Sequence, residues 1–178
     1  GILEHKTFKF HDRDFQLRTS RKTVTQRAII AWSSSPESLW RILEKVSTDD
    51  WNKIPFSHSL EERQAQLDPL IRKLKRRKPQ NDIKLAALTN IVKNAIDEKR
   101  KVIIFVESLP TAGYLERNLE RHGWRVVSTI DHDKKEDTYK TKSKREAQRI
   151  LNHFAPIANA DKIRNANVVK ASDILITT

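Results

Sequence analysis

Apolar and polar positions change their spacing several times along the chain. At the start, Phe8, Phe10, Phe15 and Leu17 alternate with charged residues, the pattern of an extended arm or a peripheral strand over 1–20. A helix is predicted over 24–32, with Ile29 and Ile30 turned inward. Ser33-Ser34-Ser35 followed by Pro36 restarts the chain, because Ser is a good N-cap and Pro suits the first helical turn. The helix this opens, 36–46, puts Leu39, Trp40, Leu43 and Val46 on one face. Residues 47–58 read as a loop, with Trp51, Ile54 and Phe56 as anchors. Ser59 and Glu62 have the spacing of a capping box. The helix that follows carries Leu67, Leu70, Ile71 and Leu74, and Pro69 inside it predicts a break.

From Gln80 onward the pattern alternates. Asp82 caps a helix with Leu85, Leu88, Val92, Ala95 and Ile96 at helical spacing. The run Lys101-Val102-Ile103-Ile104-Phe105-Val106 reads as a strand buried on both faces. A helix over 110–122 follows, with Leu115 and Leu119 inward and Gly123 as its stop. A β-rich run spans 124–130, and the charged stretch 131–142 reads as a mobile surface loop. A helix over 143–154 turns Ile150, Leu151 and Phe154 inward. Residues 155–172 are irregular, and Asp173-Ile174-Leu175-Ile176-Thr177-Thr178 is a third strand. Helix, strand, helix, strand, helix, strand is the order of an α/β parallel sheet flanked by helices. Two regions follow: an arm and helical approach segment over 1–80, and an α/β domain over 81–178.

Composition narrows the function. The 178 residues include 35 Lys and Arg against 23 Asp and Glu, a net charge of +12. Such a charge draws the chain to polyanions, of which nucleic acid is the commonest inside a cell. With no Cys, disulfides, thiolate metal sites and Cys nucleophiles are excluded. No apolar run is long enough for a membrane helix, and Gly1-Ile2-Leu3-Glu4-His5-Lys6 lacks the form of a signal peptide. The expected setting is cytoplasmic, without a membrane partner. The six His residues have no partners fixed by spacing, so no catalytic residue and no metal ligand is assigned. His132 between Asp131 and Asp133 is a poor chelate, because three adjacent ligands cannot converge on one ion. Of the four Trp, Trp40 and Trp124 fall in apolar patterns and read as core. Trp51 is the candidate for stacking on a base. Lys73 to Lys78 places five basic residues in six, which suits a helix C-terminus as well as it suits phosphate.

The α/β half resembles a known family. Lys84-Leu85 on a helix, the strand ending Phe105-Val106-Glu107-Ser108, then Thr111-Ala112 with Leu115 and Leu119, resemble the opening of the second RecA-like domain of superfamily-two helicases. His153-Phe154-Ala155-Pro156-Ile157-Ala158-Asn159 and the strand Ile174 to Thr178 look most like bacterial and archaeal helicases related to the Swi/Snf group. Ser34-Ser35-Pro36-Glu37-Ser38-Leu39 is similar to a segment preceding their second core domain. The resemblance covers 22–178 and stops early in the strand called motif V. It implies a truncated RecA-like parallel sheet, preceded by a helical segment, in an ATP-dependent helicase or translocase that closes and opens on ATP. It also implies nucleic-acid contacts from Ser108, Thr111, Thr177 and Thr178, on DNA in preference to RNA.

Departures from the family pattern shape the expectation. No Gly-x-x-x-x-Gly-Lys-Ser/Thr phosphate loop and no Asp-Glu-x-His box occur in the sequence. ATP and Mg2+ are therefore expected on the intact parent, through its first RecA-like domain, and neither on this chain alone, which is expected to be inactive. Asp131-His132-Asp133 stands where many relatives carry Asp-Gly. The alternative reading is a non-enzymatic nucleic-acid-binding or interaction domain with an α/β fold. A flavodoxin-like or receiver-like domain is a third option, but Glu107-Ser108 does not supply the acidic cluster of a receiver.

Overall fold

The computed structural model describes residues 26–48, 59–155 and 172–178. The expected arm over 1–20, the anchors Trp51, Ile54 and Phe56, and the stretch 156–171 with the Pro156–Asn159 phrase lie outside the described residues. The chain divides between Arg76 and Arg77 into two units.

Among its described residues the first unit is helical. Helix α1 occupies 26–34, and α2 spans Pro36–Ser47. Ser35 separates them. Its hydroxyl accepts the Ser38 amide at 3.1 Å, satisfying one of the N–H groups that a helix start leaves open. Helix α3 spans Leu60–Lys75 and opens with the expected capping box, Ser59 with Glu62. It runs through Pro69 without the expected break. Pro69 removes the donor to the carbonyl of Ala65, but both residues are exposed, so water can serve that carbonyl. Helices α2 and α3 pack on each other, with Val46 and Ile71 buried and Arg63 Nη1 donating to the Val46 carbonyl at 2.7 Å.

Two further expectations fail in this unit. Ile29 and Ile30 are exposed, and Ala31 is the buried residue of α1. Trp40 is only partly buried and is not a core residue. The Arg41 guanidinium lies 4.6 Å and the Lys75 ammonium 4.4 Å from its ring centre, so it packs under cations at the surface. Trp32, not singled out by pattern, is 75% exposed.

The second unit is α/β. A single 3-10 turn, Pro79–Asn81, leads into α4, Ile83–Asp97. Asp82 caps α4, accepting the Lys84 and Leu85 amides on Oδ1. The order then runs β1 Val102–Phe105, α5 Leu109–Glu120, β2 Val126–Ser128, β3 Ile130–Asp133, β4 Thr138–Thr141, α6 Lys144–Phe154 and β5 Ile174–Thr177. Strands β1, β5 and β2 form a parallel sheet in that spatial order. Its register pairs Val102 and Val126 with Ile174, one on each side. Leu85 and Val92 from α4, and Ala112, Leu115 and Leu119 from α5, close over Ile104, Ile174 and Ile176 on one face of the sheet. Trp124 packs against this cluster, as its apolar setting predicts.

The amino-terminal end of β5 is pinned twice. Arg125 grips Asp173 in a two-pronged ion pair, Nε to Oδ2 at 3.1 Å and Nη2 to Oδ1 at 2.7 Å. Lys101 donates to the carbonyls of Phe154 and Ser172, tying the end of α6 to the start of β5. Burial lowers the Lys101 pKa against the pull of Asp173.

Here too the structure corrects the pattern. Strand β1 is not buried on both faces: it lies at the sheet edge, with Ile103 50% and Phe105 75% exposed. Leu151 of α6 is exposed, and Phe154 is that helix's buried residue. The stretch 131–142 is not a loop. Strands β3 and β4 form an antiparallel hairpin with His132 opposite Tyr139. Asp133 Oδ1 accepts the Lys135 and Glu136 amides, and Asp137 takes the left-handed conformation (φ 49°) that closes the turn. Gly123 ends α5 in the same region of backbone space, at φ 78°.

Candidate functional site

Open α/β sheets meet their ligands at the carboxyl ends of the strands. In this sheet, the carboxyl ends of β1 and β5 are neighbours: Phe105 pairs with Thr177, and the Val106 amide donates to the Thr177 carbonyl at 2.9 Å. Topology thus brings the Glu107-Ser108 turn beside Thr177 and Thr178. The four residues singled out from sequence sit differently within this edge. Ser108 is half-buried at the N-cap position of α5, and its side chain makes no cap bond to that helix. Thr111 is only 5% exposed, one turn into α5. Thr177 is half-buried and Thr178 exposed.

Two further residues complete the edge and carry no motif in the sequence. The Thr129 hydroxyl donates to the Thr177 hydroxyl at 3.0 Å, and its amide donates to the Ile176 carbonyl at 3.0 Å. Thr129 therefore fixes the rotamer of Thr177 from the β2 side. Lys142, at the end of the hairpin, donates Nζ to the Ser128 carbonyl at 2.8 Å and its amide to the Thr129 carbonyl at 2.8 Å. A cation is thereby held at the carboxyl end of β2. No sequence signal marks either residue, because both gain their place from the hairpin and from the pairing of β2 with β5.

The electrostatics of this edge are mixed. Lys142 is partly offset by Glu116 on α5, whose carboxyl pKa is raised by burial, with Lys142 opposing the rise. Glu107 is exposed beside Ser108, so an anion approaching that turn meets a like charge. Hydroxyls and Lys142 can hold a phosphate or a sugar hydroxyl here, but nothing at this edge presents an acid–base pair.

The residues do not fit a nucleotide triphosphate cradle. Such a cradle needs glycines where a loop opens a helix. Gly113 lies inside α5 against Tyr139, and Gly123 closes α5. Among the described residues no group of three or more His, Asp or Glu could hold a metal ion. His132 instead stacks on Tyr139, centres 4.4 Å apart, and pairs with Asp137 at 2.9 Å. The basic run is divided between the units. Lys75 pairs with Glu44 at 2.5 Å, and Arg77 donates to the Asn81 carbonyl at 2.8 Å. Trp51 lies outside the described residues. Among the described residues no helix is long and apolar enough to cross a membrane.

The chain matches no family model, no curated protein and no solved structure.

Proposed function

We propose that this chain supplies the second RecA-like domain of an ATP-dependent nucleic-acid translocase, related to the Swi/Snf helicases and tracking DNA. One observation carries the reading: Ser108, Thr177 and Thr178 converge at the carboxyl ends of two adjacent parallel strands, with Thr129 and Lys142 completing the row. A row of hydroxyls with one fixed cation suits a sugar-phosphate backbone, which is gripped without reading sequence. The net charge of +12 supports the same partner. ATP and Mg2+ would be held by the first RecA-like domain, since this chain offers no cradle for them. Closure of the two domains on ATP would then draw the hydroxyl row along the strand.

Fluorescence anisotropy with a labelled DNA duplex tests the reading. Binding should weaken linearly in a log–log plot against salt. Ser108→Ala combined with Thr178→Ala should cost about 1 kcal/mol per lost bond, about fivefold in Kd each. The chain alone should not turn over ATP. Binding with an unchanged Kd in the double variant would place the contact elsewhere on the basic surface and overturn the reading.

A further inference from the structure

The outer side of the α4–α5 layer carries a cleft of about 370 Å³ that the carboxyl-edge reading leaves unused. Its volume falls in the range of small-ligand sites. The α4-side wall is apolar, formed by Pro79, Leu85 and Ala86. The opposite wall is the end of α5, with Arg121 and His122. By topology α5 runs antiparallel to β1 and β2, so its last turn lies toward the sheet edge opposite Ser108 and Thr177. The two sites are therefore separate.

The polar groups of the cleft are arranged rather than scattered. Asn118 is buried; its amide nitrogen donates to the Tyr114 carbonyl at 2.7 Å, and its oxygen accepts from Arg121 Nη1 at 3.2 Å. Arg121 is thus held by one edge of its guanidinium, leaving further N–H groups to donate. No carboxylate among the described residues pairs with it. His122 is braced by stacking on Trp124, centres 4.8 Å apart and planes 22° from parallel. On the α4 side, Asn90 and Gln80 bring exposed carboxamides to the rim. A carboxamide presents a donor and an acceptor side by side, the complement of a nucleobase edge. A guanidinium presents two parallel donors, the complement of a phosphate.

We propose that this cleft binds one nucleoside monophosphate unit, its base on the Pro79–Leu85–Ala86 wall within reach of Asn90 and Gln80, and its phosphate on Arg121. The negative end of the α5 dipole opposes an anion there, so phosphate affinity depends on Arg121. The unit could come from a free nucleotide or from the phosphorylated end of a strand; both offer the same chemistry. This site is independent of the translocase reading and survives its failure.

Amide-resolved NMR titration of the full chain with AMP, inorganic phosphate and a short 5′-phosphorylated single strand tests the site. Saturable shifts are expected at 85–90 and 118–122 with AMP. Arg121→Ala should weaken AMP by about tenfold or more, the scale of a charge-assisted bond. Asn90→Ala should weaken AMP while leaving inorganic phosphate unchanged. Both side chains are exposed, so the variants should keep the wild-type spectrum elsewhere. A strand binding about tenfold tighter than AMP in the same cleft identifies the strand as the source, and equal binding identifies the free nucleotide. The proposal is overturned if AMP gives no saturable shift up to about 10 mM. It is equally overturned if AMP binds no tighter than phosphate, or if Arg121→Ala leaves the affinity unchanged.

Discussion

Glu116 and Asp173 are two carboxylates whose environments push in opposite directions. Burial raises the Glu116 pKa, with Lys142 as the largest opposing influence. A raised folded-state pKa means that the folded protein holds a proton the unfolded chain has released. Stability therefore falls as pH rises from the ordinary carboxylate range through the raised value. Glu116→Gln should melt at a higher temperature than the parent at pH 7, and the advantage should vanish near pH 4. Asp173 is the reverse case. Its side-chain bonds from Arg125 hold its pKa down, so its stabilisation is present above the unfolded value and is lost as pH falls through the folded one. Asp173→Asn should cost about 1 kcal/mol at pH 7, a small value because Arg125 is half exposed to screening solvent. That cost should close as pH falls through the lowered folded-state value. Thermal unfolding followed by circular dichroism across this range reads both signs. An Asp173→Asn cost that persisted at low pH would show that the lost ion pair is not its cause.

At the scale of elements, Gly113 lets the β3–β4 hairpin approach α5 closely through Tyr139. A Cβ built on Gly113 would lie 2.8 Å from Cζ and 2.9 Å from the hydroxyl oxygen of Tyr139. The ring cannot drift away freely: it stacks on His132, and Arg117 Nη1 donates to its hydroxyl at 2.7 Å. In an isolated helix Gly113→Ala would gain about 1 kcal/mol. Here it should instead destabilise by about 1–2 kcal/mol, because the displaced ring loses its stack and its hydrogen bond. In a Tyr139→Ala background the same change should turn stabilising by up to about 1 kcal/mol. A double-mutant cycle in urea measures this, and additive effects would mean that the two residues do not couple.

The hairpin also marks where reading by pattern stopped working. Helix starts were legible because Ser35, Ser59 and Asp82 act on their own next few residues, and all three cap as expected; Ser143, read as the first helical residue, is a fourth N-cap. The hairpin has only Ile130 and Tyr139 to bury, too few for a period to emerge, and Tyr139 is held by Arg117 from a distant helix. Its turn was written in Asp133 and Asp137, residues that also suit a solvated loop. Pro69 was over-read for the opposite reason: a local rule gave way because the affected carbonyl faces water. The carboxyl edge was legible in part. Ser108 and Thr177 follow from strand ends, whereas Thr129 and Lys142 depend on which strands become neighbours, and no local spacing encodes that.

For the whole molecule, the apolar run at Val102 and the apolar run at Ile174 look alike in sequence yet occupy opposite situations. Strand β5 is enclosed on both sides, while β1 leaves Ile103 and Phe105 in water. The strand that arrives last in sequence is the one on which the other two depend, since β1 and β2 never pair with each other. Its partners in β1 are about 70 residues away, so the loop closed by that pairing is long and costs entropy before any ladder bond repays it. Strand β5 is therefore shared by both seams of the sheet. Opening β5 frees the Val102, Val106 and Thr129 amides together, since all three donate to β5 or the residues at its ends. In native-state hydrogen exchange these three amides should share one opening free energy to within about 0.5 kcal/mol, a single cooperative unit spanning both seams. Markedly slower exchange at Val102 than at Thr129 would mean that one seam outlives the other. If the unit holds, a ligand touching only Thr177 or Thr178 would slow exchange at both outer seams at once, reporting its arrival on β2 as well as on β1.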